Sequence, residues 1–229
     1  MAEDERVVEV RGVRLAYRVS GPPDGTPLVL LHGTGEGAAD WSTVLPDLAA
    51  THRAYALDLR GHGASDRPGR YSLELMRDDV LGVLDALDLP VVDLVGHSMG
   101  GVVGYLVAQA APDRVARLVL EDTPAPLSRV PTLPVRPDGE LDFDWEMVLA
   151  VRPQLDTPDP AWLAGLGRIT ADTLVVAGGP DSHVSQESVA ELSRRIPRAE
   201  LVTIPVGHLV HAGAPAEFVR AVTAFLGPG

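Results

Sequence analysis

The chain has 229 residues, 45% of them hydrophobic, which suffices for one sizeable core, and it reads as a single domain over 1–229. Its formal net charge of −13 argues against nucleic-acid or anionic-membrane partners, which call for a lysine- and arginine-rich face, and the absence of cysteine excludes thiol chemistry, disulfides and cysteine-ligated zinc. No apolar run approaches the about 18 residues of a membrane span, so a soluble, unexported, cytoplasmic protein is expected. The charged opening, Met1-Ala2-Glu3-Asp4-Glu5-Arg6, leads into a short strand.

In chain order, Val7–Val10 and Val13–Val19 flank Arg11-Gly12 and alternate apolar with polar residues, which predicts an antiparallel hairpin. Leu28–Leu31, Arg53–Leu57, Val91–Val95, Ala116–Leu120, Thr173–Ala177 and Glu200–Ile204 are short apolar runs without alternation, as expected of strands covered on both faces. Helical spacing appears over Leu73–Leu87, Ser185–Ile196 and Pro215–Leu226. Strands alternating with helices predict an α/β fold with a doubly wound, mostly parallel sheet. Thr123 to Gly167 breaks this rhythm with eight prolines, Phe143, Trp145 and Trp162. It reads as a short lid inserted over 123–167, with Asp142 or Asp144 capping one helix and Asp159-Pro160 starting another.

Residues 91–104 carry the chemistry: an apolar strand runs into Gly96-His97-Ser98-Met99-Gly100-Gly101 and then into a helix of small residues. Gly-x-Ser-x-Gly at a strand-to-helix turn is a nucleophile elbow, which lifts the Ser98 hydroxyl above the sheet and leaves the Met99 N–H at a helix N-terminus, suited to an oxyanion. A serine hydroxyl needs a base, and of seven histidines His208 is selected, because it follows the last strand at the carboxyl edge where Ser98 emerges. For the acid, Asp181, in the turn after Thr173–Ala177, is preferred, giving the chain order serine, acid, histidine. Asp122, one strand earlier at the same edge, is the alternative, and Glu121 a lesser one whose side chain should take the opposite face. The loop His32-Gly33-Thr34-Gly35-Glu36-Gly37 is expected to supply a second oxyanion donor, the Thr34 N–H. His32 is expected to be a structural hydrogen-bonding residue, and His97 to pack or line the pocket.

His32-Gly33, Asp58-Leu59-Arg60-Gly61-His62-Gly63-Ala64-Ser65, Gly96–Gly101, Gly178-Gly179-Pro180-Asp181 and Gly207-His208, in that order, resemble the α/β-hydrolase superfamily, and most of all its small bacterial carboxylesterase, lipase and lactonase members. The resemblance implies that Asp58–Ser65 is a structural turn. It also implies a serine hydrolase acting on a small or medium carboxylic ester or lactone, with no metal or organic cofactor. Carbon–carbon bond hydrolysis and perhydrolysis by the same residues are alternatives. Two readings of other classes are a hydrolase-like ligand-binding receptor, and a dinucleotide site built on Gly33-x-Gly35-x-x-Ala38 with Asp58 about 20 residues on.

Overall fold

The computed structural model describes residues 4–227, so Met1-Ala2-Glu3 of the charged opening lies outside the described residues. The predicted hairpin forms β1 (Asp4–Val10) and β2 (Val13–Ser20), paired antiparallel around Arg11-Gly12. Six further strands follow: β3 (Thr26–Leu31), β4 (His52–Leu57), β5 (Val92–His97), β6 (Val115–Glu121), β7 (Asp172–Ala177) and β8 (Ala199–Thr203). They make one eight-stranded sheet in the order β1-β2-β4-β3-β5-β6-β7-β8. Every pair from β4 onward in that order is parallel, and β2 meets β4 antiparallel.

The apolar runs lack alternation because each parallel strand feeds two cores. In β3, Val29 and Leu31 face one apolar cluster and Leu28 and Leu30 the other. In β6, Leu118 and Leu120 divide in the same way from Val119. The first cluster is covered by α2 (Leu73–Ala86), α3 (Met99–Ala110) and α6 (Gln186–Arg195), and the second by α1 (Leu45–Leu48) and α8 (Pro215–Leu226). Ser72 caps α2 by accepting from the Leu75 N–H at 3.1 Å, and Ser185 caps α6 by accepting from Ser188 at 3.3 Å. The short α1, the four-residue α7 (Val210–Gly213) and the 3₁₀ turn Ala38–Thr43 escape periodicity because each is too brief to show a stripe.

Between β6 and β7 the chain leaves the sheet. Within residues 123–167 lie α4 (Trp145–Asp156) and α5 (Pro160–Gly165), preceded by an irregular strap. Of the two capping candidates, Asp144 takes the cap of α4, accepting from the Glu146 N–H at 3.0 Å, and the Tyr71 hydroxyl donates to its other oxygen at 2.5 Å. Asp159 caps α5 through the Ala161 N–H at 2.8 Å, with Pro160 in the first turn. The strap is tied to the end of α4, where the Arg129 N–H donates to the Asp156 carbonyl at 2.9 Å. Among the described residues no helix is long and apolar enough to cross a membrane.

Candidate active site

Ser98 joins β5 to α3 with φ 51° and ψ −115°, a conformation that L-residues rarely adopt. The turn is possible because its flanking residues lack side chains: a Cβ on Gly96 would lie 2.5 Å from the Gly100 carbonyl oxygen, and one on Gly100 2.3 Å from that of Leu31. The Ser98 N–H donates to the Glu121 carbonyl at 2.9 Å, pinning the elbow to the end of β6. Met99 opens α3, so its N–H belongs to the unsatisfied first turn.

His208 follows β8, and its Nδ1 lies 2.6 Å from Asp122 Oδ2. This corrects the preferred expectation: the carboxylate that meets His208 belongs to Asp122, and Asp181 is exposed, with no side-chain hydrogen bond or ion pair among the described residues. Asp122 sits directly after β6 with φ 42°, fully buried. The turn after β7, which carries Asp181, is wrapped around Asp122. The Gly178 N–H and the Gln186 side-chain amide each donate to Oδ1 at 2.9 Å, and the Ser182 hydroxyl joins His208 on Oδ2. Burial pushes the Asp122 carboxyl upward, but the hydrogen bonds from His208, Ser182, Gln186 and Gly178 outweigh it and hold the group below the usual carboxylate range. An ionised Asp122 can only accept, so His208 Nδ1 carries the proton and Nε2 is the basic nitrogen. The His183 ring packs at a tilt against His208, centroids 4.1 Å apart.

The loop after β3 is fixed by histidines that sequence reasoning valued less. His32 is fully buried, with Nδ1 donating to its neighbour's carbonyl on Gly33 at 2.7 Å and Nε2 accepting from the Leu59 N–H at 3.0 Å. Burial above all lowers it to about 4, so it stays neutral and structural. His62 Nε2 accepts from the Gly35 N–H at 3.2 Å, and Glu36 accepts from the Gly33 N–H at 2.7 Å. With Gly33 and Gly35 engaged, the Thr34 N–H has no acceptor among the described residues. Asp58 likewise holds backbone, accepting from Ala38 at 2.6 Å and Ala64 at 3.0 Å, so its carboxylate is committed to the turn and not to a ribose.

His97 is buried between two acceptors. Its Nδ1 meets Glu36 at 3.0 Å and its Nε2 the His208 carbonyl at 3.1 Å. Burial pulls its pKa down, yet the nearby charges of Glu121 and Glu36 overcome that and raise it to about 9. Glu36 correspondingly falls to about 2: its burial is outweighed by His97. Glu121, the lesser acid candidate, bonds both the N–H and Nδ1 of His211, at 2.8 and 2.9 Å. Nothing in the local sequence marks Glu36 as the partner of a histidine, because His97 lies on β5.

These parts converge on a cavity of about 410 Å³. Thr34, Ser98, Met99 and His208 line it from the sheet side, and Val148, Val151 and Leu155 from α4. A cavity of this size, with an apolar wall on α4 and polar or charged side chains over the rest of its lining, suits a small-molecule site. The family model of the alpha/beta hydrolase fold matches residues 26–156, and the chain belongs to that family. Over 120 residues it is 41% identical to the 2-hydroxymuconate semialdehyde hydrolase of Pseudomonas sp. (strain CF600), a match covering 50% of this chain and 42% of that protein. Among solved structures it is similar to a hydrolase from Pseudomonas aeruginosa PA01, with 28% identity, TM-score 0.78, and 99% of this chain and 100% of the other covered. A thermophilic esterase from Thermogutta terrifontis gives 26% identity and TM-score 0.81, covering 99% and 98%. The chain spans less than half the length of the curated relatives it matches.

Proposed function

We propose that the protein is a serine hydrolase that cleaves a small or medium carboxylic ester or lactone through an acyl-enzyme. The observation that carries this reading is one cavity lined by both a serine in a strained elbow and a histidine whose Nδ1 is bonded to a buried carboxylate at 2.6 Å. In this mechanism His208 Nε2 takes the Ser98 proton as Oγ attacks the carbonyl carbon. The Met99 and Thr34 N–H groups receive the developing oxyanion, and Asp122 stabilises the imidazolium. The leaving alkoxide takes that proton and departs as the alcohol. Water, deprotonated by His208, then attacks the acyl carbon, and the acid is released as Ser98 is regenerated. Residues 123–167 act as the lid and set the acyl pocket. The solved esterase at 26% identity supports the ester chemistry.

Likeness to a protein named for a semialdehyde favours a second reading, carbon–carbon bond hydrolysis beside a carbonyl with the same three residues. Rapid-quench kinetics with a p-nitrophenyl ester tests the first reading: a burst of p-nitrophenol at one equivalent of enzyme is expected, and Ser98→Ala abolishes it. Unchanged turnover in that variant refutes the mechanism.

A further inference from the structure

The lid side of the cavity carries an unbalanced positive charge. Arg129 and Arg152 both line the cavity that holds Ser98 and His208, and both turn Nε toward one carboxylate, Asp156, at 2.6 and 3.0 Å. Asp156 is 2% exposed, and it also accepts from the Thr132 N–H at 3.2 Å. Its acceptor capacity is therefore taken up while two guanidinium charges face one carboxylate charge. Glu36, the carboxylate that lines the cavity itself, is engaged by His97 and the Gly33 N–H. One terminal nitrogen of Arg152 bonds the Thr132 hydroxyl, whereas among the described residues the terminal nitrogens of Arg129 have no hydrogen-bond partner. Arg129 is also electrostatically in reach of the reacting end, since its charge acts on His183, whose ring lies 4.1 Å from that of His208.

A guanidinium held by its Nε, with both terminal N–H₂ groups free, presents a planar fork that matches a carboxylate. Asp156 fixes that fork in advance, which lowers the ordering cost of binding. On the sheet side stands the buried Asp122, bonded to His208, so positive charge lies on the lid side of the cavity and negative charge on the sheet side. An anionic group on a bound molecule is drawn to the first and repelled by the second, which orients the molecule. We propose that Arg129, assisted by Arg152, is an anion subsite, and that the substrate is an ester or lactone bearing a carboxylate a few atoms from the carbonyl that Ser98 attacks. This rests on the serine hydrolase reading for the reaction, but not for the binding.

The test measures binding and turnover separately. Monomethyl glutarate, an anion, and dimethyl glutarate, its neutral counterpart, are titrated calorimetrically into the Ser98→Ala protein. The half-ester is expected to bind about tenfold more tightly. Adding Arg129→Gln brings the ratio of the two affinities to near one, and Arg129→Lys, which keeps the charge without the fork, leaves it between. A ratio near one in the Ser98→Ala protein, or a ratio that Arg129→Gln does not change, overturns the subsite. If Arg129 only ties the strap to α4, both affinities fall together and the ratio stays. The same pair is then offered to the wild type. Preferential hydrolysis of the half-ester upholds both readings, whereas selective binding with hydrolysis of neither upholds the subsite and refutes the hydrolase.

Discussion

Replacing Asp122 by asparagine separates the two aspartates at this sheet edge. The carboxylate accepts from the Gly178 N–H, the Gln186 amide, the Ser182 hydroxyl and His208 Nδ1. An asparagine keeps its Oδ1 for the first two, but its own N–H₂ group then confronts two donors across the second position. Ser182 can rotate its proton away and His208 cannot, so the ring is driven to the tautomer with its proton on Nε2, and the base is lost. A tautomer inversion of this kind costs about a thousand- to ten-thousandfold in kcat. The loss of charge-assisted bonds costs about 1–3 kcal/mol of stability, because donors are left facing a donor in a buried site. The folded Asp122 pKa lies below its unfolded value, so its contribution to stability is present above the unfolded pKa of about 3.9 and is lost as pH falls through the folded pKa. Asp122→Asn should therefore also flatten the acid limb of a stability profile. Acylation rates from stopped-flow p-nitrophenol release, with Asp181→Asn as the companion, make the assay. Near-normal acylation in Asp122→Asn together with a crippled Asp181→Asn would refute the reasoning.

Other consequences follow from strain, charge and burial. Ser98→Gly relieves the positive φ and, after the entropy cost of glycine, should stabilise the fold by about 1 kcal/mol, while Ser98→Ala should not; calorimetric melting compares them. Asp79 is buried and receives both Nε and Nη2 of Arg60 at 2.5 Å, so Asp79→Ala leaves a buried guanidinium without its counter-ion, held only by the Arg70 carbonyl, and should cost about 3–5 kcal/mol in denaturant unfolding; a loss under about 1 kcal/mol would contradict this. His97, raised to about 9, contributes stability that is fully present below its unfolded pKa of about 6.5 and is lost as pH rises through 9. Melting temperature should accordingly decline from pH 7 to pH 9.5, and His97→Gln should remove that slope.

Most of the sheet was legible because its strands are short apolar runs separated by amphipathic helices, and both signals are local. Leu73–Leu87 has its stripe in the sequence, and its helix ends one residue earlier, at Ala86. The elbow was legible because its pattern is short: Gly96 meets the backbone of Gly100 and Gly101 a few residues on, although Gly100 must be small for a distant reason, the close approach of the Leu31 and His32 backbone. The pairing of the partly exposed Glu36 with the buried His97 was not, because residues 61 positions apart meet only once β3 and β5 are neighbours.

The sequence by itself determined that a serine is lifted at the carboxyl edge of a parallel sheet and that His208 returns to the same edge. Which carboxylate meets that histidine was a tertiary decision. Asp122 and Asp181 end adjacent strands, and the composition of either turn suits the part. The left-handed backbone at Asp122 turns its carboxylate into the site, and the β7 turn closes over it with Gly178, Ser182 and Gln186, leaving Asp181 in water. The charge on the α4 side of the cavity is of the same kind: Arg129, Arg152 and Asp156 lie as many as 27 residues apart, and only the folding of the strap onto α4 brings the two arginines to one carboxylate beside the cavity that Ser98 lines.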